Sequence, residues 1–308
     1  MDLNKLGRAY RRFLRCMAVL AKFPITLGYL SAPWLAYIGL SPIKQEAAGF
    51  RQALEDAGKR FSDADWLSIW RKRLADQAIF CLHIFKQPKC DAKWVKQRIT
   101  VDLAQLETLL QVQGSVLFLT YHHAYQHTLC AALGAAGLPL NALAAPEESS
   151  PLFAFIGTYI KQLHRGCALH FNGGKYLFFD RDMAGARMAK RALANGGILI
   201  SLNDFSGSQE KCPAVPVFNR RITAPTGSVK LACRLGIPIV AGGMLRDGKH
   251  YQIVMRQIDN TQNITCIMRD YFAFLEEISA DAPHFWDGWN WFSGLPHDSV
   301  ETLNDSSS

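Results

Sequence analysis

Three histidines stand close together in residues 115–130 (SVLFLTYHHAYQHTLC), the stretch of the chain best suited to chemistry. The imidazoles of His122, His123 and His127 titrate near neutral pH, so each is suited to accept or deliver a proton. The uncharged run 116–120 predicts a buried strand, and the sequence after His123 predicts a helix that ends at glycine. Open α/β sheets hold ligands at the carboxyl ends of their strands. We therefore expect His122 beside a binding cleft, as a general base.

Two other interpretations of this stretch stay open. His123 and His127 are four residues apart and would share one helix face, as in two-histidine zinc sites, although no glutamate adjoins His123. Histidines that are merely hydrogen-bonded at a strand–helix junction are the second alternative. We expect no metal, because no third ligand can be named.

The segment LISLNDFSG, residues 199–207, predicts a second strand that ends at Asn203 and Asp204. A carboxylate at that position is suited to orient a histidine or to bind a polar headgroup. Aspartate is also a common turn former, which is the simpler explanation.

Basic side chains form the next candidate group. Arg220 and Arg221 precede Thr226 and a predicted helix at 227–235, and a helix N-terminus with arginines beside it attracts phosphate or carboxylate. A solvated loop with a threonine cap is the alternative. Arg181 opens a further basic helix, in which acids at the start and bases toward the end match the helix dipole.

A tryptophan-rich segment, HFWDGWNWF at 284–292, is the last candidate. Its aromatic side chains are suited to line an acyl or headgroup site or to lie at a membrane interface. A packed C-terminal lid is the alternative.

Alternation of strands and helices positions these candidates, and it predicts an α/β fold in which helices flank a central mixed, largely parallel sheet. A hairpin turn at 246–250 (RDGKH) makes the sheet mixed. The predicted strands are 115–120, 139–144, 166–171, 197–202, 237–243 and 250–256. The predicted helices are 45–59, 62–85, 103–112, 124–136, 151–163, 182–194, 227–235 and 264–279.

Composition narrows the class of protein. The 308 residues, 49% of them hydrophobic, are enough for a large folded domain, and the net charge of +8 favours an anionic partner. No nucleic-acid-binding motif is present, so an anionic lipid or an acidic carrier protein fits better. Eight scattered cysteines without CxxC spacing predict reduced, buried thiols.

The N-terminal segment, residues 1–45, combines basic and apolar side chains, and residues 23–43 include no charged side chain. An interfacial or re-entrant anchor on anionic headgroups, a spanning helix and a plain buried helix pair all fit this pattern. We predict a helical, membrane-associated segment, followed by one α/β domain at 46–300 and a polar tail at 301–308.

The motifs, taken in order, resemble the late acyltransferases of lipid A biosynthesis, within the lysophospholipid acyltransferase superfamily. His122 falls on the histidine of the family's His-x4-acid motif, and Asp204 on the aspartate that ends a later strand. The family's V-P-x-F and T-G block is matched by Val215, Pro216, Phe218, Thr226 and Gly227. Arg181 falls near the family arginine at a shifted spacing.

The resemblance implies a transferase at the cytoplasmic face of the inner membrane that needs no cofactor. It would move an acyl group, or in a divergent branch an aminoacyl group, from acyl carrier protein or a similar thioester donor. The acceptor would be a hydroxyl or amine of a glycolipid or phospholipid. His122, His127 and Asp204 would be catalytic, and His123, Arg181, Arg220, Arg221 and Thr226 would bind substrate.

One departure from the family matters for this expectation. His127 stands where the motif has its acid, and the C-terminal block lacks the basic residues that follow its tryptophan in the family. Either Asp204 supplies the acid for His122, or the reaction differs, or the chain is a non-catalytic lipid or carrier-protein binder on the same fold.

Overall fold

The computed structural model describes residues 3–23, 27–31, 34, 43–144, 153–178, 183–206 and 212–298. Most of the uncharged stretch after Phe23, the predicted site residue Arg181 and the polar tail lie outside these ranges.

A seven-stranded sheet forms the centre of the structure, in the order β1-β9-β8-β2-β5-β3-β4. Neighbouring strands run parallel except β8 and β9, which form the predicted hairpin. The predicted mixed, mostly parallel α/β fold is therefore confirmed. The strands are β1 (Ile99–Thr100), β2 (Ser115–Thr120), β3 (Leu140–Ala144), β4 (Tyr176–Phe178), β5 (Gly197–Leu202), β8 (Ile239–Asp247) and β9 (His250–Ile258), and a separate hairpin contains β6 (Ala214–Val217) and β7 (Arg220–Thr223).

Helices cover both faces of the sheet. In chain order they are α1 (Leu3–Leu20), α2 (Ile43–Asp56), α3 (Asp63–Lys86), α4 (Ala92–Arg98), α5 (Ala104–Gln113), α6 (Gln126–Ala135), α7 (Phe153–Ala168), α8 (Met183–Ala194), α9 (Gly227–Leu235), α10 (Ile264–Asp281) and α11 (Trp289–Phe292).

Alternation along the strands creates two cores. Val116 and Phe118 of β2 face a core that includes side chains of α1, α3, α6 and α7. Leu117 and Leu119 face the opposite core, which includes α8, α9, α10 and the tryptophan-rich segment. All six residues of β2 are buried, as expected for a strand covered on both faces. Strand β2 is thus a rigid support for whatever follows its last residue.

The strand predicted at 166–171 is wrong, because helix α7 continues through the first half of it to Ala168 and no strand follows before Tyr176. Leu163 and Cys167 are four residues apart and both fully buried, which is the spacing of one helix face. The adjoining strand is β4, at Tyr176–Phe178. A short apolar run such as CALHF does not by itself distinguish a helix end from a strand.

The hairpin of β6 and β7 is not among the predicted strands, which include none between 203 and 236. Its turn places Phe218 at a φ of +52°, a conformation that non-glycine residues seldom adopt. The Phe218 ring packs against Trp289, with ring centroids 4.9 Å apart. The turn between β6 and β7 thus packs against the C-terminal segment.

The N-terminal helix α1 packs against α3 and α7. Phe13, Leu14 and Met17 are buried in the core on that side of the sheet, while Arg12 and Arg15 on the other face are exposed. Within the described ranges, no helix combines the length and the apolar character that crossing a bilayer requires.

Candidate active site

The predicted histidine and aspartate meet at the carboxyl edge of the sheet. Thr120 of β2 and Leu202 of β5 are register partners, so His122 and Asp204, each two residues further on, leave adjacent parallel strands side by side. His122 Nδ1 and Asp204 Oδ1 are 2.7 Å apart, and the His122 backbone N–H donates to Asp204 Oδ2 over 2.8 Å. The carboxylate therefore fixes both the imidazole and the backbone of His122.

A third donor completes the surroundings of Asp204. The indole N–H of Trp286 donates to Asp204 Oδ2 over 2.7 Å. Asp204 is fully buried, and burial alone would raise its pKa, but the charge and hydrogen bonds of His122, together with Trp286, lower it instead. Asp204 is accordingly ionised at neutral pH.

Burial lowers the pKa of His122, but the charge of Asp204 and the hydrogen bond to it outweigh burial, so this pKa is raised above its ordinary value. The His122 side chain is 33% exposed. Its Nε2 makes no hydrogen bond to any described residue. Phe205 and Trp291 lie edge-on to the ring, with centroids 5.9 and 5.6 Å away. One nitrogen is thus oriented by a carboxylate while the other is open to a ligand.

Two tyrosines fix the strand end that carries His122. Tyr121 and Tyr271 stack with centroids 4.5 Å apart. Each hydroxyl donates to the backbone of the other's segment, Tyr121 to the Tyr271 carbonyl over 2.7 Å and Tyr271 to the Thr120 carbonyl over 2.6 Å. Helix α10 therefore holds the end of β2 in place.

The other two histidines of the triplet have different surroundings. His123 Nδ1 accepts a hydrogen bond from the Tyr125 N–H over 3.2 Å, and burial lowers the pKa of His123 to about 3. His123 precedes helix α6, so it does not share a helix face with His127. Among the described residues, no group of three or more histidine, cysteine or acidic side chains is arranged to hold a metal ion.

His127, predicted to be catalytic, points to a different cluster. Its Nδ1 shares a 3.0 Å hydrogen bond with the hydroxyl of Tyr176, and its ring lies 5.3 Å from that of His164. Burial and the neighbouring His164 hold the pKa of His127 well below its ordinary value. Its hydrogen bonds to described residues include none to His122 or Asp204, so the carboxylate beside His122 is that of Asp204 and His127 lies apart from the pair.

The arginines predicted to bind substrate are engaged elsewhere. Arg220 is buried and donates to the Leu295 carbonyl over 2.8 Å and to Asp56 over 3.3 Å. Arg221 donates to Asp298 over 2.9 Å. Both guanidinium groups therefore hold the C-terminal residues.

Thr226, the remaining predicted ligand residue, is buried at the N-terminus of α9, where its side chain makes no capping hydrogen bond. The neighbouring Pro225 carbonyl accepts from the side chain of Asn203, the residue before Asp204. The segment with Thr226 and Gly227 is thus linked to the strand end that carries Asp204.

Around the His122–Asp204 pair, sequence reasoning missed Arg73. It named the tryptophan-rich segment that contains Trp286 and Asp287, but not the contacts that these two residues make with the pair. The Asp287 N–H donates to the His122 carbonyl over 2.8 Å, and Arg73 Nη1 donates to the Trp286 carbonyl over 3.2 Å. One signal was available, the glycine of the WDGW sequence. A Cβ on Gly288 would lie 1.9 Å from the Trp286 ring, so only glycine lets the indole fold back over it.

No protein-family model matches this chain, and no curated protein matches it significantly.

Proposed function

We propose that this protein is a membrane-associated transferase that moves an acyl or aminoacyl group from a thioester donor to a hydroxyl or amine of a glycolipid or phospholipid. The observation that carries the proposal is the His122–Asp204 pair, with Nδ1 held at 2.7 Å by a buried carboxylate and a third of the imidazole exposed. This is the arrangement of a histidine base whose tautomer is set by an acid.

The reaction balances without a cofactor. His122 Nε2 takes the proton of the acceptor O–H or N–H as that oxygen or nitrogen attacks the thioester carbonyl carbon. The C–S bond then breaks, and the imidazolium returns the proton to the departing thiolate. Asp204 stabilises the imidazolium through the interval, which its lowered pKa permits. Arg181 and backbone amides near His122 are our candidates for holding the anionic part of the substrates.

The non-catalytic alternative rested on the missing motif acid. Asp204 removes that reason, because its carboxylate, at the end of the neighbouring strand, lies at hydrogen-bond distance from His122. The catalytic proposal is therefore the better supported of the two.

Membrane association is part of the proposal, and an exposed N-terminal surface supports it. We define the apolar N-terminal surface as Val19, Phe23, Leu27, Leu30 and Trp34, whose exposures run from 44% for Leu27 to 71% for Leu30. Exposed basic side chains at positions 11, 12, 15 and 22 precede or accompany it. Large apolar side chains beside cations are the pattern that binds the interface of anionic bilayers.

Mass spectrometry of lipids tests the transfer. Cells that express the wild-type chain should contain a lipid species heavier by one acyl or aminoacyl unit, and cells that express His122→Ala should lack it. His250→Ala is the matched control, since this histidine is exposed at the start of β9, opposite Asp247 in the hairpin. Lipid profiles that are identical with and without the wild-type chain would remove the transferase proposal.

Flotation with vesicles tests the membrane surface. The wild-type chain should float with phosphatidylglycerol vesicles and less with phosphatidylcholine vesicles. A Leu30→Asp, Trp34→Asp double variant should float markedly less, because both side chains are about 70% exposed and contribute little to the core. Equal flotation of variant and wild type would exclude this surface as the contact.

A further inference from the structure

Arg73 is a buried cation beneath the active-site edge. It lies on the long helix α3 and is 1% exposed. Its guanidinium donates to the Trp286 carbonyl from Nη1 and to Asn290 Oδ1 from Nη2, each over 3.2 Å. Nη1 also lies 3.4 Å from Asp287 Oδ1. The fork of one arginine thus gathers three acceptors from five consecutive residues.

The opposite face of the same guanidinium is also in contact. Its Cζ lies 4.5 Å from the centre of the Phe50 ring on helix α2. Burying a cation without partners costs much free energy. The three acceptors and the aromatic ring around the Arg73 guanidinium offset this cost.

The segment that Arg73 gathers is the one that touches the dyad. Trp286 donates its indole N–H to Asp204, and the Asp287 N–H donates to the His122 carbonyl. His123 and Trp286 also form an antiparallel bridge. Both members of the His122–Asp204 pair therefore receive a hydrogen bond from residues whose position Arg73 sets.

We propose that Arg73 is a positioning residue of this active site, which fixes the Trp286–Asp287 backbone so that the pair keeps its geometry. The proposal rests on the proposed function for its meaning in catalysis. Its physical content, the dependence of the pair on Arg73, is independent of any substrate.

Arg73→Lys is the decisive variant, because lysine keeps the positive charge beside Asp287 and removes the planar fork that binds three acceptors. A change in the pKa of His122 in this variant therefore reports a shift in the position of the Trp286–Asp287 segment and not the loss of the Arg73 charge. We expect the pKa of His122, followed by NMR of its Cε1 proton, to fall toward its ordinary value in this variant. The Trp286 indole proton should exchange with water about tenfold faster, and lipid modification in cells should fall about 10²-fold.

Arg220→Lys is the matched control. Arg220 is likewise buried and likewise donates to a C-terminal carbonyl and to an acidic side chain, but at Leu295 and Asp56. We expect it to lower stability and to leave the pKa of His122 and the exchange of the Trp286 indole proton unchanged.

Asn290→Ala keeps the proposal testable if Arg73→Lys does not fold. Asn290 is exposed, and its loss removes one of the three acceptors while the ion pair remains. A smaller shift of the His122 pKa in the same direction is expected. The proposal is overturned if the folded Arg73→Lys or Asn290→Ala protein titrates like the wild type, or if Arg220→Lys shifts His122 as much. If instead the wild type and His122→Ala give identical lipids while Arg73→Lys still shifts the pKa, the positioning role stands and the transferase proposal fails.

Discussion

His122 and His127 are five residues apart, and the structure gives them opposite surroundings. His122 lies beyond the end of a strand, one third exposed, against the buried carboxylate of Asp204. His127 lies in the first turn of helix α6, against Tyr176 and His164, with no carboxylate among its recorded partners. The pKa of the first is raised by its acid, and the pKa of the second is lowered by burial and like-charged neighbours.

This comparison shows that the partner, and not the residue type, decides which histidine is suited to proton transfer. The carboxylate of Asp204 raises the pKa of His122, which suits this imidazole to hold a proton near neutral pH. His127 is held neutral and serves as a packed hydrogen-bonding group. The carboxylate beside His122 comes from the end of the neighbouring strand, β5.

Removing the carboxylate of Asp204 should have the largest effect on the difference between His122 and His127. Asp204→Asn deletes the charge that raises the pKa of His122 most. Burial, the largest influence, still lowers this pKa, and only the smaller effect of the Asp287 charge opposes it, so the pKa should fall below 6.5. We expect the transfer rate to drop by about 10²–10⁴-fold, the range of a lost acid–base contribution. NMR titration of the imidazole and lipid mass spectrometry measure the two effects. A His122 pKa that stays above its ordinary value in Asp204→Asn would show that another group raises it.

Restoring the family acid at the helix position should fail. His127→Glu places a carboxylate where burial lowers the pKa of an imidazole, and we expect a loss of about 2–4 kcal/mol in the free energy of unfolding. Urea denaturation measures it, with His127→Gln, which keeps a polar group without a charge, as the control. A stability equal to that of His127→Gln together with higher activity would place the working acid on the helix after all.

The pH dependence of stability that the His122–Asp204 pair causes should be smaller than the two effects above, and it should be confined to a window of pH. The raised pKa of His122 contributes stability that is full below 6.5 and lost as the pH rises through the folded value. The lowered pKa of Asp204 contributes stability that is full above 3.8 and lost as the pH falls through the folded value. The difference in melting temperature between the wild type and Asp204→Asn should therefore peak between pH 3.8 and pH 6.5. A difference that does not vary with pH would mean that the pair is not ionised.

The strands and helices around the site were largely predictable. Strands β2 and β5 have the predicted bounds of 115–120 and 197–202, and helix α9 has its predicted bounds of 227–235. Buried parallel strands are apolar without interruption, and a glycine ends the helix, so each has a local signal. The end of helix α7 and the β6–β7 hairpin were not predicted, since their conformations depend on what packs against them.

The sequence by itself determined that polar side chains end two buried strands, because hydrophobic runs and the residues that interrupt them are local properties. It named His122 and Asp204 as candidates, and Asp204 as the substitute acid. Only the tertiary structure decided that the two strands are neighbours in register. It also decided that Trp286, 82 residues after Asp204, contacts the pair and that Arg73, 49 residues before His122, holds Trp286. Contacts between residues so far apart in the chain arise from packing in three dimensions, for which a single sequence carries no periodic signal.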